Sequence, residues 1–183
     1  MDINSKKLLS ELNALVSSHI EEVKLFLTLN EEKLQYKLNT KSWSVLECIE
    51  HLNLYAKFYN LEILKTIESS NLNPVTTFKS GFLGNKFALD MLPKEGMKKM
   101  STFKSKNPIY SKLDTKKVLL DFITKQETLL DLIDKANGKN LTKIKTSTTL
   151  PFLKFRLGDT LRFVIYHNER HIKQAKKVLE NIM

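Results

Sequence analysis

Apolar residues recur along this chain at intervals of three and four, the spacing that gathers them on one face of a helix. From Ser5 to about Leu29 the stripe is Leu8, Leu12, Leu15, Val16, Val23, Phe26 and Leu27, and His19 falls on the same face. A second helix is expected from Ser44 to about Ser69. Ser44 and Glu47 have the S-x-x-E spacing in which each side chain satisfies the other's free backbone N–H. Its apolar arc includes Leu46, Ile49, Leu52, Tyr55, Tyr59 and Ile63, wide enough to make it the most buried of the helices. A third opens after Asp114, carries Leu119, Phe122, Ile123, Gln126, Leu129, Leu130 and Ile133, and stops at Asn137-Gly138. A fourth begins after Gly158-Asp159, with Asp159 as its cap, and runs nearly to Met183. Phe163, Val164, His167, His171, Ala175 and Val178 share its inner face.

Four helices of this length predict an all-α fold, a four-helix bundle. The connections suggest its topology. Asn30 to Trp43 is compatible with an antiparallel pair, whereas Ser70 to Leu113 is long enough to travel the length of the bundle. An up-down-down-up arrangement with a long second connection follows. That connection holds Phe78, Phe82, Phe87, Met91, Met97, Met100 and Phe103, so it should pack on the bundle, with a short helix near Phe82 to Leu92. Leu150-Pro151-Phe152-Leu153 forms an apolar hook suited to closing one end. Lys-Ile-Lys-Thr at 143–146 is the one hint of strand alternation.

Length and composition narrow the class. The 183 residues make one domain, 1–183, and 42% hydrophobic with 27% charged residues excludes a disordered chain. Five glycines and four prolines are few for the turns of an all-β fold. No apolar run is long enough to span a bilayer and no signal peptide is visible, so a cytoplasmic protein with no membrane partner is expected. The single Cys48 excludes an internal disulfide and a cysteine-cluster zinc site. The net charge of +10 comes almost entirely from lysine, since only Arg156, Arg162 and Arg170 are arginines among the 30 basic residues. Spread through nearly every segment, the lysines describe a solvated surface, and nucleic acid is not expected as a partner. The stripes of the first and third helices are wide enough for self-association, giving a homodimer as the expected assembly.

Chemistry concentrates in four histidines: His19, His51, His167 and His171. His167 and His171 are one turn apart on one helix face, where both imidazoles can reach a single ion. The intervening Asn168-Glu169-Arg170 does not make a zinc-protease motif, because Glu169 points about 200° away from His167 around the helix. His51 lies inside an otherwise apolar arc, where an imidazole without partners is costly. An ion shared by His51, His167 and His171 supplies that partner, and three neutral imidazoles with one open position are the donor set of a catalytic metal. His19 reads as core-rim packing or a contact to a ligand, or else as a fourth ligand. Trp43 is a hydrophobic staple or a wall of the site, with the staple favoured. Cys48 and Tyr55 read as core, and Gln174 as a residue that orients a ligand or water.

The segment Trp43-Ser44-x-x-Glu47-x-x-x-His51, followed by Gly158-Asp159-Thr160 and then His167-x-x-x-His171 and Gln174, resembles the DinB-like superfamily. These are metal-binding helical bundles related to bacillithiol and mycothiol S-transferases. The resemblance spans nearly the whole chain. It implies a divalent ion, zinc or nickel, on the three histidines, and it does not fix a reaction. Two function classes stay open. One is a metal-dependent enzyme acting on a small molecule, either a thiol-dependent S-transferase with a low-molecular-weight thiol as co-substrate or a hydrolase using metal-activated water. The other is a metal-binding, stress-responsive interaction protein without turnover. A pocket at the ion separates them.

Overall fold

The structure is a computed structural model and describes residues 2–94, 102–109 and 111–182. It is mainly helical. Four long helices, α1 (Ser5–Phe26), α3 (Val45–Glu68), α5 (Thr115–Ala136) and α6 (Leu157–Glu180), are joined by the shorter α2 (Glu31–Gln35) and α4 (Phe82–Met91). Two small antiparallel ribbons complete the described residues. β1 (Asp2–Asn4) pairs with β2 (Thr77–Lys79), and β3 (Lys145–Ser147) pairs with β4 (Lys154–Arg156). The second ribbon is the alternation seen at 143–146, three residues long and no part of a sheet core.

The helix ends follow local chemistry. Asn4, Asn30, Ser44 and Asp114 each accept a backbone N–H two or three residues into the helix they cap. At Ser44 the reciprocal bond from the Ser44 N–H to Glu47 is also made, at 2.9 Å. Past α5 the chain turns at Gly138, whose φ of 94° is open to a residue without Cβ.

The start of α6 differs from the sequence expectation. The helix begins at Leu157, and Asp159 lies inside its first turn rather than capping it. The Asp159 carboxylate is fully buried. It accepts the Ser80 hydroxyl and the Gly81 N–H, and pairs with Arg162 at 3.3 Å. An acceptor that should have served its own helix is taken by the entrance to α4. A Cβ on Gly84 would lie 2.6–2.7 Å from the Asp159 carboxylate and Cβ, so α4 approaches only because that residue is glycine. Polar anchors of this kind make α6 as buried as α3. Gly158, Asp159, Thr160 and Arg162 are all enclosed at its N-terminal end.

Contacts between the long helices fix their relative sense. Rings pair down α3 as they climb α6: His51 with His171, Tyr55 with His167, Tyr59 with Phe163. α3 and α6 are therefore antiparallel. Asn53 donates to the Val118 carbonyl and Asn60 to the Lys125 carbonyl, so α3 and α5 run the same way. His19 with Glu169 and Glu22 with Lys176 align α1 with α6.

The apolar stripes of α1 and α5 are largely consumed by the core. Leu25 and Leu120 are the large apolar residues these two helices leave exposed. In the long connection Phe78 and Met91 are buried and Phe87 packs on the core, while Phe82 and Phe103 are exposed. Met97 and Met100 lie outside the described residues. The apolar hook is divided, with Leu153 packed on the core and Phe152 turned outward. Phe152 has φ 61° and is fully exposed at the β3–β4 turn, because Thr148 satisfies the Leu150 and Leu153 carbonyls and fixes the loop outward. No helix among the described residues is long and apolar enough to cross a membrane.

Candidate metal centre

The antiparallel ladder of α3 and α6 brings three imidazoles together. His51 comes from the second turn of α3, His167 and His171 from the middle of α6, and all three are buried. One ring nitrogen from each lies within 4.8 Å of the others. His51 Nε2 and His167 Nε2 are 3.2 Å apart. Two nitrogens on one tetrahedral zinc at about 2.05 Å would be separated by about 3.3 Å. The donor set fits a divalent ion without large rearrangement.

Hydrogen bonds on the far side of two rings aim them. His51 Nδ1–H donates to the Lys106 carbonyl at 2.7 Å, which leaves Nε2 as a lone-pair donor facing the cluster. His171 Nδ1–H donates to Gln174 Oε1 at 2.9 Å, with the same result. Lys106 belongs to a short 3-10 turn, Lys104–Lys106, and its ammonium bonds the Leu54 carbonyl, pinning that turn to α3.

Burial keeps the rings neutral. It lowers His51 to about 4, with the neighbouring Lys106 charge lowering it further against the opposing effect of the carbonyl bond. Burial lowers His171 to about 3, followed by the neighbouring His51, with Gln174 opposing. His167 is lowered well below its ordinary value by burial first, then by His171, His51 and Arg170. Neutral imidazole is the ligating form, so the triad is in its binding state at neutral pH.

The triad lines a cavity of about 1200 Å³. Trp43 lies on two of the rings, with centroids 4.6 Å from His51 and 5.5 Å from His171. Its indole N–H donates to Asn107 at 3.2 Å. The favoured staple reading of Trp43 therefore gives way to that of a site wall, since the ring is turned onto the imidazoles. Tyr55 packs at a tilt against His51 and His167 and also lines the cavity. Burial, then Tyr59, raises its pKa, so its hydroxyl stays protonated as a donor.

The remaining sequence candidates lie elsewhere. His19 donates to Glu169 at 2.8 Å on the opposite side of α6, and its Nδ1 is buried without a hydrogen-bond partner among the described residues. Glu169 points away from the triad, as its place on the helix requires; the His19 bond, then Lys173, outweighs burial and lowers it to about 2. Cys48 is fully buried and outside the cluster, and burial, then Glu47, raises its thiol pKa far above the usual range. Two contributors carried no sequence signal: the Lys106 carbonyl, because backbone acceptors are not encoded by residue type, and Arg170, which lines the cavity beside His171.

The DinB superfamily model matches residues 21–175, most of the chain and all three histidines, and the chain belongs to that superfamily. No curated protein and no solved structure matches it.

Proposed function

We propose that this DinB-superfamily chain is a divalent-metal-dependent enzyme acting on a small molecule, with His51, His167 and His171 as the ligands of zinc or nickel. The observation that carries the reading is the convergence of three neutral imidazoles, two of them aimed by hydrogen bonds, on the wall of a large cavity. A site that only stabilised the fold would have four protein ligands and no pocket. The ladder of contacts between the long helices supports one domain over 1–183 with the up-down-down-up bundle topology, which is what holds α3 and α6 antiparallel at the ligand level.

A bound divalent ion supplies Lewis acidity, which holds a thiol or a water as its anion near neutral pH. The favoured reaction is S-transfer from a low-molecular-weight thiol. A C–S bond forms, the bond from carbon to its leaving group breaks, the leaving group takes the electron pair, and the thiol proton passes to solvent. The chain's own residues do the rest. Lys106 and Gln174 keep the His51 and His171 rings aimed, Trp43 covers one side of the triad, and Tyr55 lines the cavity with a protonated hydroxyl. Hydrolysis through activated water is the close variant.

Zinc and nickel titrations of chelator-treated protein test the ligand set. Wild type should bind one ion per chain. His167→Ala should lose most of that affinity and His19→Ala should keep it. Loss with His19→Ala and retention with His51→Ala would overturn the assignment. The loaded protein is then assayed for thiol transfer to an aryl chloride, following chloride release against the His167→Ala background.

A further inference from the structure

The cavity is polarised along α6. Phe163, Tyr59, Phe155 and Phe87 line it on the side of the helix start. The three imidazoles occupy the middle. Beyond them lie all the basic side chains of the described lining, Arg170, Lys173 and Lys177 from α6, Lys94 just past α4 and Lys41 from the segment leading into Trp43, set among the apolar Leu38, Met91, Pro93 and Val178. No described lining residue is acidic. With about 1.5 Å of rise per residue, Phe163 sits about 9 Å before the midpoint of the histidine pair and Lys177 about 12 Å after it.

Helix-end lysines often only offset the macrodipole, and part of this set does so. Lys173 is held 3.1 Å from Glu169, and Lys176, outside the cavity lining, pairs with Glu22. That account does not extend to Lys41 and Lys94, which come from other segments and face the same space. Among the described residues, Lys41, Lys94 and Lys177 have no carboxylate within ion-pair distance. Several like charges around one concave, partly apolar space create a positive potential that an anion relieves.

We propose that the substrate is an elongated anionic amphiphile. Its apolar part lies toward Phe163 and Phe155, its anionic head lies among Lys41, Lys94 and Lys177, and its reacting bond lies between them at the imidazoles. This rests on the reading of the triad as the reaction centre, but binding of the amphiphile does not require the ion.

The test is calorimetric titration with decane-1-sulfonate below its micelle threshold, using chelator-treated full-length protein. A sulfonate is a poor metal ligand, so failure of the metal assignment leaves this result untouched, and failure here leaves the metal titration untouched. The sulfonate should bind at least about tenfold more tightly than decan-1-ol, the effect of one charge-assisted contact. Decyltrimethylammonium should bind more weakly than the alcohol. The double change Lys41→Gln/Lys177→Gln should cost the sulfonate about tenfold and the alcohol less than about twofold. The control Lys7→Gln/Lys24→Gln removes the same charge from α1 and should change neither. Equal affinity for sulfonate and alcohol, an equal loss in both double variants, or no sulfonate binding would each overturn the proposal. So would capture of phosphatidylglycerol vesicles without binding of the free sulfonate.

Discussion

Gln174 touches the cluster only through His171, yet it decides which nitrogen of that ring faces inward. Without it His171 can rotate or change tautomer, so Gln174→Ala should weaken zinc binding by about tenfold while leaving the helical circular dichroism unchanged. Competition with a chromophoric chelator measures this, and an unchanged affinity would mean that packing alone sets the ring. A second single-residue expectation concerns Gly84. Its absent Cβ is where the Asp159 side chain sits, and that carboxylate is held in place by Ser80, Gly81 and Arg162. Gly84→Ala must push α4 away and should cost about 1–3 kcal/mol in urea unfolding. Residue identity made much of the site readable in advance. Imidazoles are scarce in this chain, and their spacing on two amphipathic faces placed His51, His167 and His171 together and turned Glu169 away. Trp43 was not decidable, since the position before a helix cap suits both a staple and a wall, and only the packing of the 36–43 segment selects. Cys48 was readable as well. Although it stands one turn before His51, it reads as core from the sequence and is fully buried outside the cluster.

At the scale of elements, α3 is the piece on which the site depends most. Its N-terminal turn is fixed by the reciprocal Ser44–Glu47 bonds, and Glu47 also pairs with Lys37 at 2.6 Å. Ser44→Ala removes one cap and should cost about 1 kcal/mol, read as a lower urea midpoint with an unchanged slope. A larger effect on zinc binding than on stability would indicate fraying that reaches His51, two turns in. The long helices were legible because the rules that start and stop them are local: caps at Ser44 and Asp114, a stop at Asn137-Gly138, and a stripe every three or four residues between. What was not legible was tertiary. Asp159 has the right type and place for a cap, but a buried ion pair and the α4 entrance claim it. The five-residue α2 is too short to show a period. The hook at 150–153 has core composition, but its turn geometry holds Phe152 in solvent.

For the whole molecule, the buried imidazoles tie stability to pH in a definite direction. His51 and His171 are held near 4 and 3 by burial, and His167 is also lowered, whereas the same groups in the unfolded chain titrate near 6.5. Between these limits the unfolded state binds more protons than the folded one, so stability falls as pH falls. The contribution is intact above about pH 6.5 and is lost progressively through the folded values. Glu169 adds a separate loss further down, between its ordinary range and about 2. The melting temperature of chelator-treated protein should therefore drop between pH 7 and pH 5, mostly above the range of that carboxylate, with proton uptake on unfolding that approaches one for each of His51, His167 and His171. His171→Gln should flatten this dependence by one proton's worth. Zinc should raise the melting temperature at pH 7 in proportion to the logarithm of its concentration over its dissociation constant, and this gain should vanish toward pH 5 as protons compete for the same nitrogens. A melting temperature that stays level from pH 7 to pH 5 in the metal-free protein would mean that the three rings accept protons in the folded state. They would then be open to water and poorly arranged to hold an ion.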